Sequence, residues 1–117
     1  MSKGSPDIRQ VDDLTFPHVV LGSELPVVVD FWLPQCLGCI TMDVMLQELA
    51  SSYEGKITVV KANLQHTSSW GAAYGVFEVP TILLVNEGEV REVLTGTYPY
   101  SSLKGILENF LSKIRPV

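Results

Sequence analysis

Residues 27–39 read VVVDFWLPQCLGC and contain the most informative pattern of the chain. The apolar, β-branched run Val27–Trp32 is typical of a central strand that is covered on both faces. A turn is predicted over Leu33–Gln35, and a long helix is predicted over Cys36–Tyr53. Both cysteines of the chain therefore lie where a buried strand gives way to a helix.

The spacing of the cysteines brings their sulfurs within bonding distance. Cys36 and Cys39 are separated by two residues, which places them one helical turn apart. Unpaired N–H groups and the helix macrodipole favour a thiolate at Cys36, while Cys39 is expected to be shielded. This asymmetry suits dithiol–disulfide exchange, in which Cys36 attacks a substrate disulfide and Cys39 resolves the mixed disulfide.

A CxxC pair by itself leaves other interpretations open. One interpretation is that the pair forms half of a zinc site. Zinc needs four ligands, however, and His18 and His66, the only histidines, have no metal-type spacing to the cysteines. Two inert buried cysteines are a second, and a metal or iron–sulfur centre shared by two chains is a third. The strand-then-helix position of the pair favours exchange, so we predict no metal and no bound cofactor.

Outside this segment the hydrophobic pattern predicts alternating strands and helices. The predicted elements are a short strand over Asp7–Val11, a helix from Asp12 or Asp13 to Leu21, a strand over Ile57–Ala62, a helix over Ser68–Tyr74, strands over Thr81–Val85 and Val90–Thr95, and a closing helix over Leu103–Leu111. The long helix between two strands implies a parallel pair, whereas the turn Asn86–Glu89 implies an antiparallel hairpin. We predict one α/β domain over residues 1–117, with a central mixed β-sheet and helices on both faces.

Composition and charge exclude several classes of protein. Hydrophobic residues make up 46% of the chain and charged residues 18%, which is typical of a globular domain. Eight Lys and Arg against thirteen Asp and Glu give a net charge of −5, so there is no basic surface for nucleic acid or membranes. Met1–Gln10 lacks the apolar core of a secretory signal, and two cysteines are too few for a secreted disulfide framework. We therefore expect a cytoplasmic protein. A monomer is a separate expectation that these features do not decide.

The segment VVVDFWLPQCLGC resembles the active-site segment of the thioredoxin family. The resemblance covers nearly the whole chain from about Phe16, and it continues in order through Lys61–Asn63, Tyr74–Val76, Val79–Thr81, Asn86–Val90 and Gly96. It implies the thioredoxin fold and a thiol–disulfide oxidoreductase that reduces protein disulfides. A separate electron-donor reductase and disulfide-containing protein substrates are the partners it implies.

The resemblance also implies roles for residues outside the cysteine pair. Asp30 would exchange a proton with the resolving thiol, because burial raises the pKa of a carboxyl group, and Lys61 would lie nearby. Trp32 would pack beside the site. Val79 would offer backbone groups to an extended substrate segment, and Pro80 would follow a cis peptide bond facing the cysteines. Without the resemblance, the sequence is equally compatible with an Asp30 that hydrogen-bonds a neighbouring backbone group, a Lys61 that reaches water and a Pro80 with an ordinary trans peptide bond.

Positions around the cysteines depart from the family pattern. Gln35 stands where the family has tryptophan, Leu37-Gly38 stands where it has Gly-Pro, and Ile40 stands where a basic residue usually follows. Because glycine loosens a backbone that proline fixes, and because a cation is lost, we expect a less reducing pair than that of a standard thioredoxin. A non-catalytic protein-binding module and a disulfide isomerase or oxidase are the alternative functions.

Overall fold

The computed structural model describes residues 8–114, in which strands alternate with helical segments. Asp7 of the predicted first strand and both ends of the predicted domain lie outside the described residues. The elements are β1 (Arg9–Val11), a π-helical segment (Pro17–Leu21), β2 (Val27–Trp32), α1 (Leu37–Ser52), β3 (Thr58–Asn63), α2 (Ser68–Ala73), β4 (Thr81–Asn86), β5 (Glu89–Thr95) and α3 (Tyr100–Ile114). Within this range, no helix is both long and apolar enough to cross a membrane.

The strands form one mixed sheet in the order β1-β3-β2-β4-β5. β1, β3 and β2 run parallel, whereas β4 is antiparallel to both β2 and β5. The parallel β2-α1-β3 unit and the β4-β5 hairpin are both confirmed. Glu87 and Gly88 join the hairpin with φ angles of 51° and 79°, because a two-residue loop that matches the twist of the strands needs positive φ at both positions.

Helices cover both faces of the sheet, as predicted. The first five residues of β2 and of β4 are buried, because each strand has a hydrophobic layer on either side. On one face the core is formed with α1 and α3 around Met42, Leu46 and Leu107. On the other face Phe16 and Val20 pack against the sheet together with the side chains of α2.

The predicted first helix is wrong in length and type. In place of a helix over residues 12–21, the structure has a π-helical segment over Pro17–Leu21. Asp12 nevertheless caps a helical turn, as predicted, since its Oδ1 accepts the N–H groups of Leu14 and Thr15 and its carbonyl oxygen accepts the N–H of Phe16. Gly22 ends the segment, as predicted, by donating its N–H to the carbonyl oxygen of Pro17 at 2.9 Å. The other elements lie where predicted, with ends that differ by at most three residues.

Candidate active site

The two cysteines lie at the N-terminus of α1 and are joined as a disulfide. Cys36 is the N-cap of the helix, and its Sγ accepts the N–H of Cys39 at 3.1 Å. In the reduced state this donor and the helix macrodipole stabilise a thiolate at Cys36. Cys36 is half-buried, whereas only 5% of the Cys39 surface is exposed. The predicted shielding of Cys39 is therefore confirmed.

The predicted turn between β2 and α1 contains a strained residue. Gln35 has a φ of 62°, in the left-handed region that residues with side chains rarely adopt. This conformation redirects the chain immediately before Cys36. Nothing in the sequence indicates it, because glutamine is not a residue that favours the left-handed region. Backbone strain of this kind is concentrated at functional sites.

Pro80 packs against the turn that carries the cysteines. The Val79–Pro80 peptide bond is cis, as predicted from the family resemblance. A Cβ atom placed on Gly38 would lie 3.2 Å from Cδ of Pro80 and 3.0 Å from Cγ2 of Thr97. Gly38, which we expected to loosen the backbone, therefore occupies a close contact. Thr97 was missed from the sequence, since it lies in a loop outside any motif.

Asp30 is a completely buried carboxylic acid in β2. Neither of its carboxyl oxygens has a hydrogen-bond partner among the described residues. Burial raises the pKa of Asp30 to about 7; the Lys61 ammonium lowers this pKa, and the Asp43 carboxylate raises it. A carboxyl group with such a pKa can take up and release a proton near neutral pH.

Lys61 is the register partner of Asp30 on the neighbouring strand β3. Its ammonium contacts Asp43, with 2.9 Å between Nζ and Oδ1, in an ion pair rather than a directed hydrogen bond. The same Nζ lies 4.6 Å from the centroid of a Trp32 ring. The predicted proximity of Asp30 and Lys61 is confirmed at the backbone, but Asp43 was missed. Its position four residues after Cys39, on the same side of α1, was the available signal.

A cavity of about 170 Å³ opens beside the cysteine pair. Its lining includes three of the residues assigned to the site from the sequence, namely Trp32, Cys39 and Lys61. The other four assigned residues, Asp30, Cys36, Val79 and Pro80, do not line it. A larger cleft of about 720 Å³ contains neither cysteine. No group of three or more His, Cys, Asp or Glu within residues 8–114 is arranged to hold a metal ion.

Comparison with known proteins connects this geometry to a family. The family model described as Thioredoxin matches residues 7–109. The chain belongs to the thioredoxin family. It is 37% identical over 102 residues to a thioredoxin of Synechocystis sp., an alignment that covers 87% of this chain and 95% of that protein. It is 38% identical over 102 residues to thioredoxin 1 of Nostoc sp., with the same coverage of 87% and 95%.

A plant thioredoxin is similar to almost the whole chain. The M-type chloroplastic thioredoxin of Spinacia oleracea is 36% identical over 111 residues, which is 95% of this chain and 61% of that protein. Family membership and the bonded CxxC pair make this protein a thiol–disulfide oxidoreductase of the protein-disulfide reductase type. The predicted thioredoxin fold is confirmed with it.

Two departures from the thioredoxin pattern place apolar side chains on the surface beside the cysteines. Leu37 is 82% exposed, and Ile40 is 61% exposed. Ile40 occupies the position that usually carries a basic residue in thioredoxins, so the nearby cation that would favour a thiolate is replaced by an apolar side chain.

Proposed function

We propose that this member of the thioredoxin family reduces protein disulfides with Cys36 as the nucleophile and Cys39 as the resolving thiol. One observation carries the assignment. Cys36 is the accessible cysteine and has its sulfur at a helix N-terminus with an N–H directed at it, whereas Cys39 is almost completely buried. A thiolate is stabilised at the first position, whereas the second cysteine exposes too little surface for a protein substrate to reach its sulfur directly.

The exchange proceeds in two substitutions at sulfur. The Cys36 thiolate attacks one sulfur of the substrate disulfide; that disulfide breaks, and the other substrate sulfur leaves as a thiolate that takes a proton from water. Cys39 then loses its proton, and its thiolate attacks Sγ of Cys36. The first substrate sulfur leaves and is protonated in turn. Two electrons have passed to the substrate, and the Cys36–Cys39 disulfide has formed.

Asp30 is the acceptor that we propose for the proton of Cys39. It lies on the face of the sheet that packs against α1, since Val28, two residues earlier in β2, belongs to the core formed with that helix. Its pKa of about 7 matches a proton transfer at neutral pH. Lys61, opposite it in register, stabilises the carboxylate that results.

Substrate contacts are proposed for Trp32, Val79 and Pro80. Trp32 lines the cavity beside the cysteines, and Pro80 packs against the turn between them. Val79 precedes Pro80 and is half-buried, so an extended substrate segment can reach its backbone groups in the manner of strand addition.

Partners and location are also proposals. We propose that a separate reductase supplies the electrons, that disulfide-containing proteins receive them, and that the protein acts as a monomer in the cytoplasm. The low cysteine count supports the cytoplasmic location, and the net charge of −5 favours a monomer because like-charged chains repel one another. Light scattering of the purified chain tests the monomer, and imaging of the tagged full-length protein tests the location.

The assignment of the two cysteines is tested by trapping. Cys39→Ser with a free Cys36 thiol is incubated with insulin whose disulfides are intact. It is expected to accumulate a mixed disulfide at residue 36, which mass spectrometry detects. Cys36→Ser is the matched control and is expected to form no adduct, because Cys39 is buried. Equal adducts with both variants would contradict the assigned roles. Adduct with neither variant, together with retained partner binding, would favour the non-catalytic module.

A further inference from the structure

Asp43 forms an ion pair with Lys61 in the cavity beside the cysteine pair. It lies in α1, four residues after Cys39, and its Oδ1 is buried against the Lys61 ammonium at 2.9 Å. The two side chains are 27% and 20% exposed, respectively, so solvent screens this pair only in part. Both residues line the cavity that also contains Cys39.

The ion pair fixes Lys61 in one place. The ammonium lies between the Asp43 carboxylate and the face of Trp32, 4.6 Å from the ring centroid. Asp30, opposite Lys61 in the sheet, has both carboxyl oxygens buried with no hydrogen-bond partner among the described residues. Within that part of the chain, Lys61 therefore pairs with Asp43 and not with Asp30.

We propose that Asp43 is a positioning residue for the exchange reaction, one that binds the Lys61 ammonium and thereby withholds it from Asp30. The proposal rests on the proton-transfer role proposed for Asp30. Without Asp43, the Lys61 side chain would be free to approach the buried carboxyl group on the adjacent strand. With Asp43 in place, Asp30 keeps its proton to a higher pH, and a second carboxylate lies close to the resolving thiol.

The electrostatic surroundings of Asp30 make the direction of the effect definite. Lys61 faces it from β3 and Asp43 faces it from α1, where the cysteine pair also lies. Its register partner on β4 is Ile82, which carries no charge. Neutralising Asp43 removes one repulsive charge and releases one attractive charge, and both changes favour the ionised form of Asp30.

The test is an NMR titration of the Asp30 carboxyl carbon in the oxidised protein. Asp43→Asn is expected to lower the titration midpoint by about half a pH unit or more, since like charges at partly buried sites interact on this scale. Asp43→Glu, which keeps the charge, is expected to restore the wild-type midpoint. Glu48→Gln is the matched control, because it removes one carboxylate from an exposed position of α1 and should leave the midpoint unchanged.

A second readout connects the titration to the reaction. The acidic limb of the pH–rate profile for insulin reduction is expected to move to lower pH in Asp43→Asn by the same amount as the midpoint. A midpoint that is unchanged in Asp43→Asn, or that shifts equally in Asp43→Glu, would overturn the proposal. Because the titration uses oxidised protein and needs no turnover, its failure is distinguishable from a failure of the cysteine assignment, which trapping measures separately.

Discussion

Gly38 and Pro80 are packed so closely that a methyl group added at Gly38 would lie 3.2 Å from the proline ring. The first turn of α1, which carries both cysteines, thus rests on the residue that precedes β4. Thr97, whose Cγ2 would lie 3.0 Å from the same methyl group, closes the contact from the loop after β5. The position of the disulfide is set by this packing as well as by the helix.

Gly38→Ala is expected to lower the free energy of unfolding by about 1 kcal/mol, because the added methyl forces its neighbours apart. Thr97→Ser removes Cγ2, the atom nearest to the added methyl group. The double variant Gly38→Ala/Thr97→Ser should therefore recover part of the lost stability. Urea unfolding of the single and double variants measures both effects.

Gly105 provides the control for that comparison. It lies in α3, and a Cβ atom there would meet nothing within 4 Å. Gly105→Ala is expected to stabilise the protein by about 0.5–1 kcal/mol through helix propensity alone. A Gly38→Ala variant that gains as much stability as Gly105→Ala would show that the contact with Pro80 does not constrain the site.

Asp30 is expected to make the oxidised protein less stable as the pH rises. Its pKa is about 7 in the folded state against an ordinary value of 3.8, so the folded state binds more protons than the unfolded state between these values. The stability that Asp30 contributes is therefore fully present below pH 3.8, and it is lost as the pH rises through about 7. Between pH 5 and pH 8 the loss is on the order of 3 kcal/mol, because each pKa unit corresponds to about 1.4 kcal/mol.

Asp30→Asn isolates this contribution, since the amide does not titrate. Denaturant unfolding of wild type and variant at pH 5 and pH 8 gives the difference between their pH dependences, in which other titrating groups cancel. A variant with the same pH dependence as the wild type would show that the Asp30 carboxyl group does not have a raised pKa.

The same substitution is expected to slow the resolution of the mixed disulfide. General-base catalysis contributes about 100-fold or more, so Asp30→Asn should accumulate the Cys36 mixed disulfide at pH 7 while Cys39 is present. The deficit should shrink at alkaline pH, where hydroxide deprotonates Cys39 directly. Rapid-quench analysis of a single turnover measures both rates. Equal resolution rates in both proteins at pH 7 would remove Asp30 from the mechanism.

Phe16 is expected to be a major source of stability on the face of the sheet opposite the cysteines. It is completely buried and stacks on Trp70, with ring centroids 5.0 Å apart. Phe16→Ala should cost about 3–5 kcal/mol, in the range of other large-to-small core substitutions. Leu14→Ala, at a position that is 89% exposed, should change stability by less than about 0.5 kcal/mol. Comparable losses in the two variants would contradict this account of the core.

Much of the fold could be predicted from the hydrophobic pattern, because buried strands and amphipathic helices have distinct periodicities. Residues 27–39 alone indicated a buried strand followed by a helix with Cys36 at its start, and the structure places Cys36 at the N-cap. The π-helical winding of Pro17–Leu21 could not be predicted, since a cap at Asp12 and a hydrophobic pattern of this length are equally compatible with an α-helix.

The site was predictable to the extent that it follows a family motif. Pro80 was located in this way, whereas Cys36 and Cys39 followed from their spacing at the start of a helix, and the structure brings the elements of all three together. Asp43 and Thr97 were not, because each reaches the site through contacts between elements distant in sequence. In the sequence Asp43 is marked only by its position four residues after Cys39, and its ion pair with Lys61 becomes visible only in the structure.

The most direct measurement is insulin reduction driven by a small dithiol, with wild type, Cys36→Ser and Glu48→Gln compared at equal concentration. Fast turnover is expected in the wild type, unchanged turnover in Glu48→Gln and a rate equal to that of the dithiol alone in Cys36→Ser. If the wild type gives no acceleration over the dithiol, or if Cys36→Ser accelerates the reaction as well as the wild type does, then Cys36 does not perform protein-disulfide exchange.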